Sequence, residues 1–507
     1  MMLWRLNCTR SVRKSFWAAL LLSGLTQPLF SVHAQAESIS TSGKQSSCYL
    51  NGLSEKVVCG KVTVAENPQQ PEGRHIDIHY ALLPAIKNQY PNEAFVAIAG
   101  GPGQSAIDNA AGFERTFSKI RETRDILLID QRGTGRSNIL SCGFDHINAL
   151  SADDESIDIK QEAKKCLIKL SNKADVTQYG SDIAVSDFEA VRKALGYQKF
   201  HLYGVSYGSR VAQLYMRHYP NSLLTVTLDG VVPMQQSVLT QGEAIDRAIE
   251  LLFKDCQQST SCKHAFPKLK QDYQNTSKRL KTKAYQGTVN DPSTGEPTQL
   301  LLTQSKFLST IRIGLYDGKM RALLPYAIHQ ANKGNYQAIL GLYSLTQSGV
   351  DIATGMNASV VCGEDLPRLT PQQKTRLEAS YFGRTLLSST EQICDVWKVP
   401  AVNTSFADAI DSDIPTLLLS GELDPATPPS WGELADEKLS HAKHFIAPYA
   451  THGIAFQSCG NKLIAQLVND GSVDNLDDKC LKKDVRRGFF LNASSIEPQP
   501  TQTKAKE

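Results

Sequence analysis

The stretch that most limits how this 507-residue chain can fold runs from Phe200 to Met216. Phe200, His201, Leu202 and Tyr203 have the mostly apolar character of a buried strand; they enter Gly204-Val205-Ser206-Tyr207-Gly208, and Val211, Ala212, Leu214 and Tyr215 follow at helical spacing. A G-x-S-x-G run between strand and helix demands a turn so tight that glycines must let backbones approach. The serine is then pushed into strained φ/ψ, with its hydroxyl clear of the sheet. Free amides and the helix dipole at this position favour negative charge developing beside Ser206. A glycine-rich turn that merely contains a serine is the plainer alternative, and the flanking strand and helix argue against it.

The N-terminus is of a different kind. Arg5, Arg10, Arg13 and Lys14 precede an apolar run from Phe16 to Leu25, and Ala34-Gln35-Ala36 supplies a small-x-small cleavage signal, so residues 1–36 are predicted to be a cleaved signal peptide. Ser23, Gly24, Thr26, Gln27 and Pro28 interrupt the run before it reaches the ~20 residues of a membrane span, which argues against an anchor after signal cleavage. Without the leader the chain holds 50 basic and 51 acidic residues, a net charge of −1, and nothing points to nucleic acid as a partner.

Ten cysteines remain once Cys8 leaves with the leader: Cys48, Cys59, Cys142, Cys166, Cys256, Cys262, Cys362, Cys394, Cys459 and Cys480. An even number in near pairs, in an exported chain, suggests five disulfides between sequential neighbours, although spacing leaves the connectivity open. Zinc is the competing reading, with Cys256, Cys262 and His264 the nearest approach to a ligand cluster. No C-x-x-C or H-E-x-x-H occurs, and no metal or cofactor is expected.

Taken in order, residues 37–47 are a polar, flexible lead-in. Lys61–Val64 and Ile76–Tyr80 alternate as antiparallel edge strands around the breaker-rich 67–73. Phe95–Ala99 is a buried strand that runs into Gly100-Gly101-Pro102-Gly103. A loop this free of side chains lets a backbone amide reach a substrate carbonyl, so Gly101 and Tyr207 are the candidate oxyanion-hole donors. A sterically required turn is one alternative. Dinucleotide binding is another, but Pro102 removes an amide and the third glycine of G-x-G-x-x-G is missing.

Ile126–Ile129 forms the next strand, followed by a loop in which Asp130 and Arg132 are expected to pair. A helix follows at Val185–Leu195, with Ser186 as N-cap and Gly196 past its end, and then a strand at Leu224–Gly230. Strands alternating with helices imply a mainly parallel central sheet covered on both faces. From 233 to 400 strand signals fade and helical spacing dominates, as in Ala244, Ile245, Ala248, Ile249 and Leu252, which predicts an inserted helical cap with a looser polar stretch at 281–297. Sheet character returns at Pro415–Leu419 and His444–Ala447, so 37–232 and 401–493 are the two parts of one core. The polar tail 494–507 is expected to be disordered.

Ser206, Asp424 and His452 now stand at three strand ends in the order nucleophile, acid, histidine, which is the order of α/β-hydrolases. In such a triad His452 takes the serine proton while Asp424 fixes the imidazole tautomer. Glu422 is the rival acid, placed two residues nearer the strand.

Ala99-Gly100-Gly101-Pro102-Gly103, the segment 130–137 (DQRGTGRS), Gly204-Val205-Ser206-Tyr207-Gly208 and the segment 421–428 (GELDPATP) resemble the prolyl iminopeptidase and tripeptidyl aminopeptidase family of serine peptidases, and most closely its secreted tripeptidyl aminopeptidase-like branch. The resemblance spans nearly all of residues 45–490. Ala99 stands where prolyl iminopeptidases have histidine, which argues against strict proline specificity. The resemblance implies an α/β-hydrolase fold with a helical cap and removal of residues from free peptide N-termini. It also implies that the segment 361–367 (VCGEDLP) supplies the carboxylate for the substrate ammonium: Glu364 first, then Asp365, the alternative being a structural acidic pair beside a Cys362–Cys394 disulfide. The expected function is therefore that of an exported, periplasmic or secreted serine exopeptidase acting on peptides with a free N-terminus. An esterase or lipase on small acyl esters, or a binding protein on a disarmed scaffold, are the alternatives. The number of residues released, the natural peptide and the oligomeric state are not legible in the residues.

Overall fold

Period-two alternation and short apolar runs fold as strands: β1 Ser46–Cys48, β2 Val57–Ala65, β3 His75–Leu83, β4 Glu93–Ile98, β5 Asp125–Ile129, β6 Lys199–Val205, β7 Leu223–Asp229, β8 Tyr285–Asn290, β9 Pro297–Leu302, β10 Thr416–Gly421 and β11 Ala442–Ala447. The computed structural model describes residues 45–143, 149–292, 294–347 and 352–498. The predicted signal peptide lies outside them.

Nine of these strands make one sheet in the order β1-β2-β3-β5-β4-β6-β7-β10-β11. The pairs joining β1, β2, β3 and β5 are antiparallel; from β5 through β4, β6, β7 and β10 to β11 every pair is parallel. Alternate residues feed opposite faces. Val96 and Ile98 join Ile78, Phe188, Val211 and Leu214 on one side, while Phe95 and Ala97 join Leu128, Tyr203, Leu419 and Ile464 on the other. Both faces are thus apolar and covered, as a parallel sheet requires. The sheet and its helices form an α/β-hydrolase fold.

Chain direction across the sheet reverses beside β4: the chain steps from β4 outward to β5, then returns to β6 on the other side. Loops leaving the carboxyl ends of such strands diverge and open a crevice. The loop after β4 carries Gly100–Gly103, that after β6 carries Ser206, that after β10 carries Asp424, and that after β11 carries His452. Register keeps these ends level, with Ile98 opposite Gly204, Val205 opposite Asp229, and Leu419 opposite the same Asp229.

Residues 241–396 are mainly helical and have their own apolar cluster, including Ile245, Leu252, Phe307, Ile311, Leu324 and Ile328. Strands do occur here, contrary to the sequence expectation: β8 and β9 pair as an antiparallel hairpin across the polar stretch at 281–297. The hairpin is shallow, with half-buried Tyr285, Gly287 and Val289 alternating with exposed Gln286, Thr288 and Asn290, so it lacks the apolar run that marks a core strand.

Other expectations need correction. Ser46 and Ser47 belong to β1 and not to a flexible lead-in, because they pair with Cys59 and Val58. The helix expected at Val185 begins at Ser181 with Gly180 as N-cap, leaving Ser186 inside it; Gly196 does close it, in the left-handed conformation at φ 78°. Residues 494–498 are ordered: Ile496 pairs with Phe490, and buried Glu497 accepts from Phe489 N at 2.8 Å and Arg486 Nη2 at 2.7 Å. All five disulfides join sequential neighbours: Cys48–Cys59, Cys142–Cys166, Cys256–Cys262, Cys362–Cys394 and Cys459–Cys480. The Cys256–Cys262 bond removes the two thiolates that the zinc alternative needed.

Candidate active site

Ser206 sits between β6 and the helix Tyr207–His218 at φ 57° and ψ −129°, a backbone conformation that a residue with a Cβ adopts only when its surroundings force it. The force is steric. A Cβ on Gly204 would lie 2.3 Å from Gly208 O, and one on Gly208 would lie 2.5 Å from Ile98 O. Both glycines let β4, β6 and the helix meet. Tyr207 opens the helix, so its amide has no intrahelical acceptor.

His452 Nδ1 lies 2.8 Å from Asp424 Oδ2. Asp424 is fully buried and also accepts from Ala426 N at 2.7 Å, Thr427 N at 2.9 Å and Thr427 Oγ1 at 2.7 Å. Burial acts to raise its pKa, but the facing imidazole and these hydrogen bonds outweigh it and hold the carboxylate below its ordinary range. For His452 burial acts downward, and the Asp424 charge outweighs it, so the imidazole is held above the ordinary histidine value. The rival acid, Glu422, is taken by Arg247 instead.

Ser206 and His452 line one cavity of about 600 Å³ together with Gly100, Gly101 and Tyr207 from the core and Leu239, Arg312, Ile313, Tyr316 and Leu386 from the helical region. The expected Ser206, His452, Gly101 and Tyr207 are thus on one wall system, with Asp424 directly behind the histidine. No hydrogen bond joins Ser206 Oγ to another described residue.

Glu364 and Asp365, expected to hold the substrate amine, do not line this cavity. Val361 reaches the lining, but the two carboxylates turn away and are 1% and 0% exposed. Arg210, on the helix that follows Ser206, grips Asp365 with two contacts of 3.1 Å, and Ser181 donates to Glu364 from N at 2.6 Å and from Oγ at 2.8 Å. Asp365 also accepts from Val238 N at 2.8 Å. Burial pushes Glu364 up to about 7 against the opposing pull of Arg210. The expected Asp130–Arg132 pair is likewise absent. Arg132 forms a two-pronged bridge to Asp187 at 2.7 Å for each prong, whereas Asp130 accepts from Ser105 Oγ at 2.6 Å, Ile107 N at 3.1 Å and Arg136 N at 3.0 Å. Asp130 therefore ties the β5 loop to the chain just after Gly103 and steadies the glycine loop.

Some positioning residues escaped the sequence reading. Asp229, at the end of β7, accepts from Ile454 N at 2.8 Å, Ala455 N at 2.9 Å and Tyr203 OH at 2.9 Å, fixing the loop that carries His452. A Cβ on Gly230, whose φ is 58°, would lie 3.0 Å from His452 Cε1, so glycine makes room for the imidazole. The Tyr316 ring meets the His452 ring edge-on at 5.2 Å. The Asp229-Gly230 pair at a strand end was the one available signal.

Residues 93–305 match the family model described as alpha/beta hydrolase fold, and residues 379–480 match that of TAP-like protein. The first contains Ser206 and the second Asp424 and His452. Serine protease Hip1 of Mycobacterium tuberculosis is 24% identical over 467 residues, covering 83% of this chain and 87% of that protein. Tripeptidyl aminopeptidase of Streptomyces lividans is 24% identical over 221 residues, 40% of this chain and 41% of its own. Putative hydrolase YuaR of Escherichia coli is 33% identical over 143 residues, 27% of this chain and 28% of its own. Sheet order, nucleophile turn and both family models agree on an α/β-hydrolase fold with a C-terminal region similar to TAP-like proteins.

Proposed function

We propose that this chain is an exported serine peptidase that removes short segments from the N-termini of peptides through an acyl-enzyme. The observation that carries the hydrolytic part is the strained Ser206 turn opening into the same cavity as an imidazole backed by a buried carboxylate. His452 Nε2 takes the Ser206 proton as Oγ attacks the scissile carbonyl, and Asp424 stabilises the imidazolium. The amides of Tyr207 and Gly101 receive the oxyanion, each donor worth about 3 kcal/mol of barrier. His452 returns the proton to the leaving amine; a water molecule, activated by the same imidazole, then releases the acyl group.

The TAP-like match and the relatives named serine protease and tripeptidyl aminopeptidase support peptides as substrates. The cavity volume suits a short peptide segment. Five disulfides support an oxidising compartment, hence export. A second reading, an esterase on small acyl substrates, is favoured by one observation: no carboxylate lines the cavity among the described residues, so no anchor for a substrate ammonium is visible there. Matched peptide-coumarins with free and N-acetylated ends separate the two. The exopeptidase reading requires at least ~10-fold higher kcat/KM for the free amine, on the scale of one charged hydrogen bond. Equal cleavage, or hydrolysis of esters alone, overturns it.

A further inference from the structure

Three arginines bury an Nε that has no hydrogen-bond partner: Arg210, Arg312 and Arg321. Two of them spend their terminal nitrogens on carboxylates, Arg210 on Asp365 at 3.1 Å and Arg321 on Asp255 at 2.7 Å. Arg312 has no hydrogen-bond or ion-pair partner among the described residues. It stands in the last turn of the helix Gln304–Gly314 and lines the cavity that holds Ser206 and His452. Apart from His452, every other described lining residue is uncharged.

The same helix shows how a merely structural cation is settled. Buried Lys306 donates to the carbonyls of Ala149, Leu150, Ala152 and Leu301 at 2.6–3.2 Å. Arg312 has no such acceptors: it is half-buried, its Nε is out of water without a partner, and the planar fork of its guanidinium matches a carboxylate. Arg312 lies four residues before Tyr316, whose ring touches that of His452, so it belongs to the wall beside the reacting groups.

We propose that Arg312 is a specificity-determining residue that receives a carboxylate of the substrate near the scissile bond, either an Asp or Glu side chain or the α-carboxylate of a short peptide. The proposal rests on the hydrolase reading of the cavity and not on which end of the peptide is cut.

Steady-state kcat/KM on the full chain tests it, using peptide pairs that differ by Glu against Gln at each position around the cleaved bond, and short peptides as free acid against amide. The wild type prefers the carboxylate member of one pair by about 10- to 100-fold, the scale of a charged hydrogen bond. Which pair shows the preference identifies the source of the carboxylate. Arg312→Gln brings that ratio close to one, Arg312→Lys restores part of it, and Arg312→Glu turns the preference toward Lys at that position. A wild type without preference, or an Arg312→Gln enzyme that loses both members of the pair equally, overturns the proposal. Should peptides resist cleavage while esters are hydrolysed, the peptidase reading fails by itself. Aryl hemisuccinate against aryl butyrate then decides Arg312 by the same ratio and the same variants.

Discussion

Two buried carboxylate clusters flank the Ser206 turn, and they differ in what they face. Asp424 meets His452, whose ring reaches the cavity; Glu364 and Asp365 meet Arg210 and Ser181, which close over them. Both clusters hold carboxylates at 1% exposure or less, and both perturb them, Asp424 downward and Glu364 upward. Burial and a shifted pKa therefore do not separate a reacting group from a structural one here. What differs is the cavity: the Asp424 cluster reaches it through the His452 ring, whereas Glu364, Asp365, Arg210 and Ser181 do not line it, and only a group with one free face can exchange a proton with substrate.

The largest expected difference between the clusters is catalytic. Asp424→Asn should lower kcat by about 10⁴ through the wrong imidazole tautomer, while Glu364→Gln should stay within about threefold. Steady-state kinetics on both variants reads this, and comparable losses would erase the distinction drawn between them. Next in size is a stability effect confined to the inner cluster. Arg210→Met leaves buried Asp365 only the longer 3.5 Å ion pair with Arg368 and should cost about 3 kcal/mol in denaturant unfolding, with the folded remainder still turning over.

A smaller effect is the pH profile. His452 acts as a base only when neutral, and its pKa is held above the ordinary histidine value, so kcat/KM should fall as pH drops through that raised pKa. An acid limb at or below the ordinary histidine value in the wild type would count against Asp424 as its partner. The smallest is a pH dependence of stability. Glu364 has a folded-state pKa of about 7 against an ordinary 4.5, so its favourable contribution is complete below 4.5 and is lost as pH rises through 7. Between pH 5 and 8, Glu364→Gln should lose about 1–3 kcal/mol less stability than wild type, measured by urea unfolding at each pH.

Much of the sheet was legible because its inner strands are buried on both faces and read as apolar runs: β4, β5, β7 and β10 fall within about two residues of the runs seen in the sequence, as does the half-buried edge strand β11. Ser206, Asp424 and His452 were legible for a related reason. A strand end followed by Gly or Pro is a local signal, and a parallel sheet brings such ends to one edge. What stayed hidden depends on distant partners. Arg132 finds Asp187, 55 positions away, in preference to Asp130. The direction taken by Glu364 is set by Ser181 and Arg210, on two other helices. The β8–β9 hairpin is polar on its exposed side and carries no periodic apolar mark. Nothing local in the sequence distinguishes Arg312 from other helical arginines; its place on the cavity wall is set by the tertiary fold.

The most direct measurement of the central claim is the site and consequence of fluorophosphonate labelling on the intact protein. Ser206, His452 and Asp424 acting together predict one adduct per chain, mapped by mass spectrometry to the peptide containing Ser206, with activity lost in step. Labelling should be abolished in Ser206→Ala, whose kcat should fall by at least ~10³. An adduct on another serine, or turnover that survives in pure Ser206→Ala protein, would contradict it.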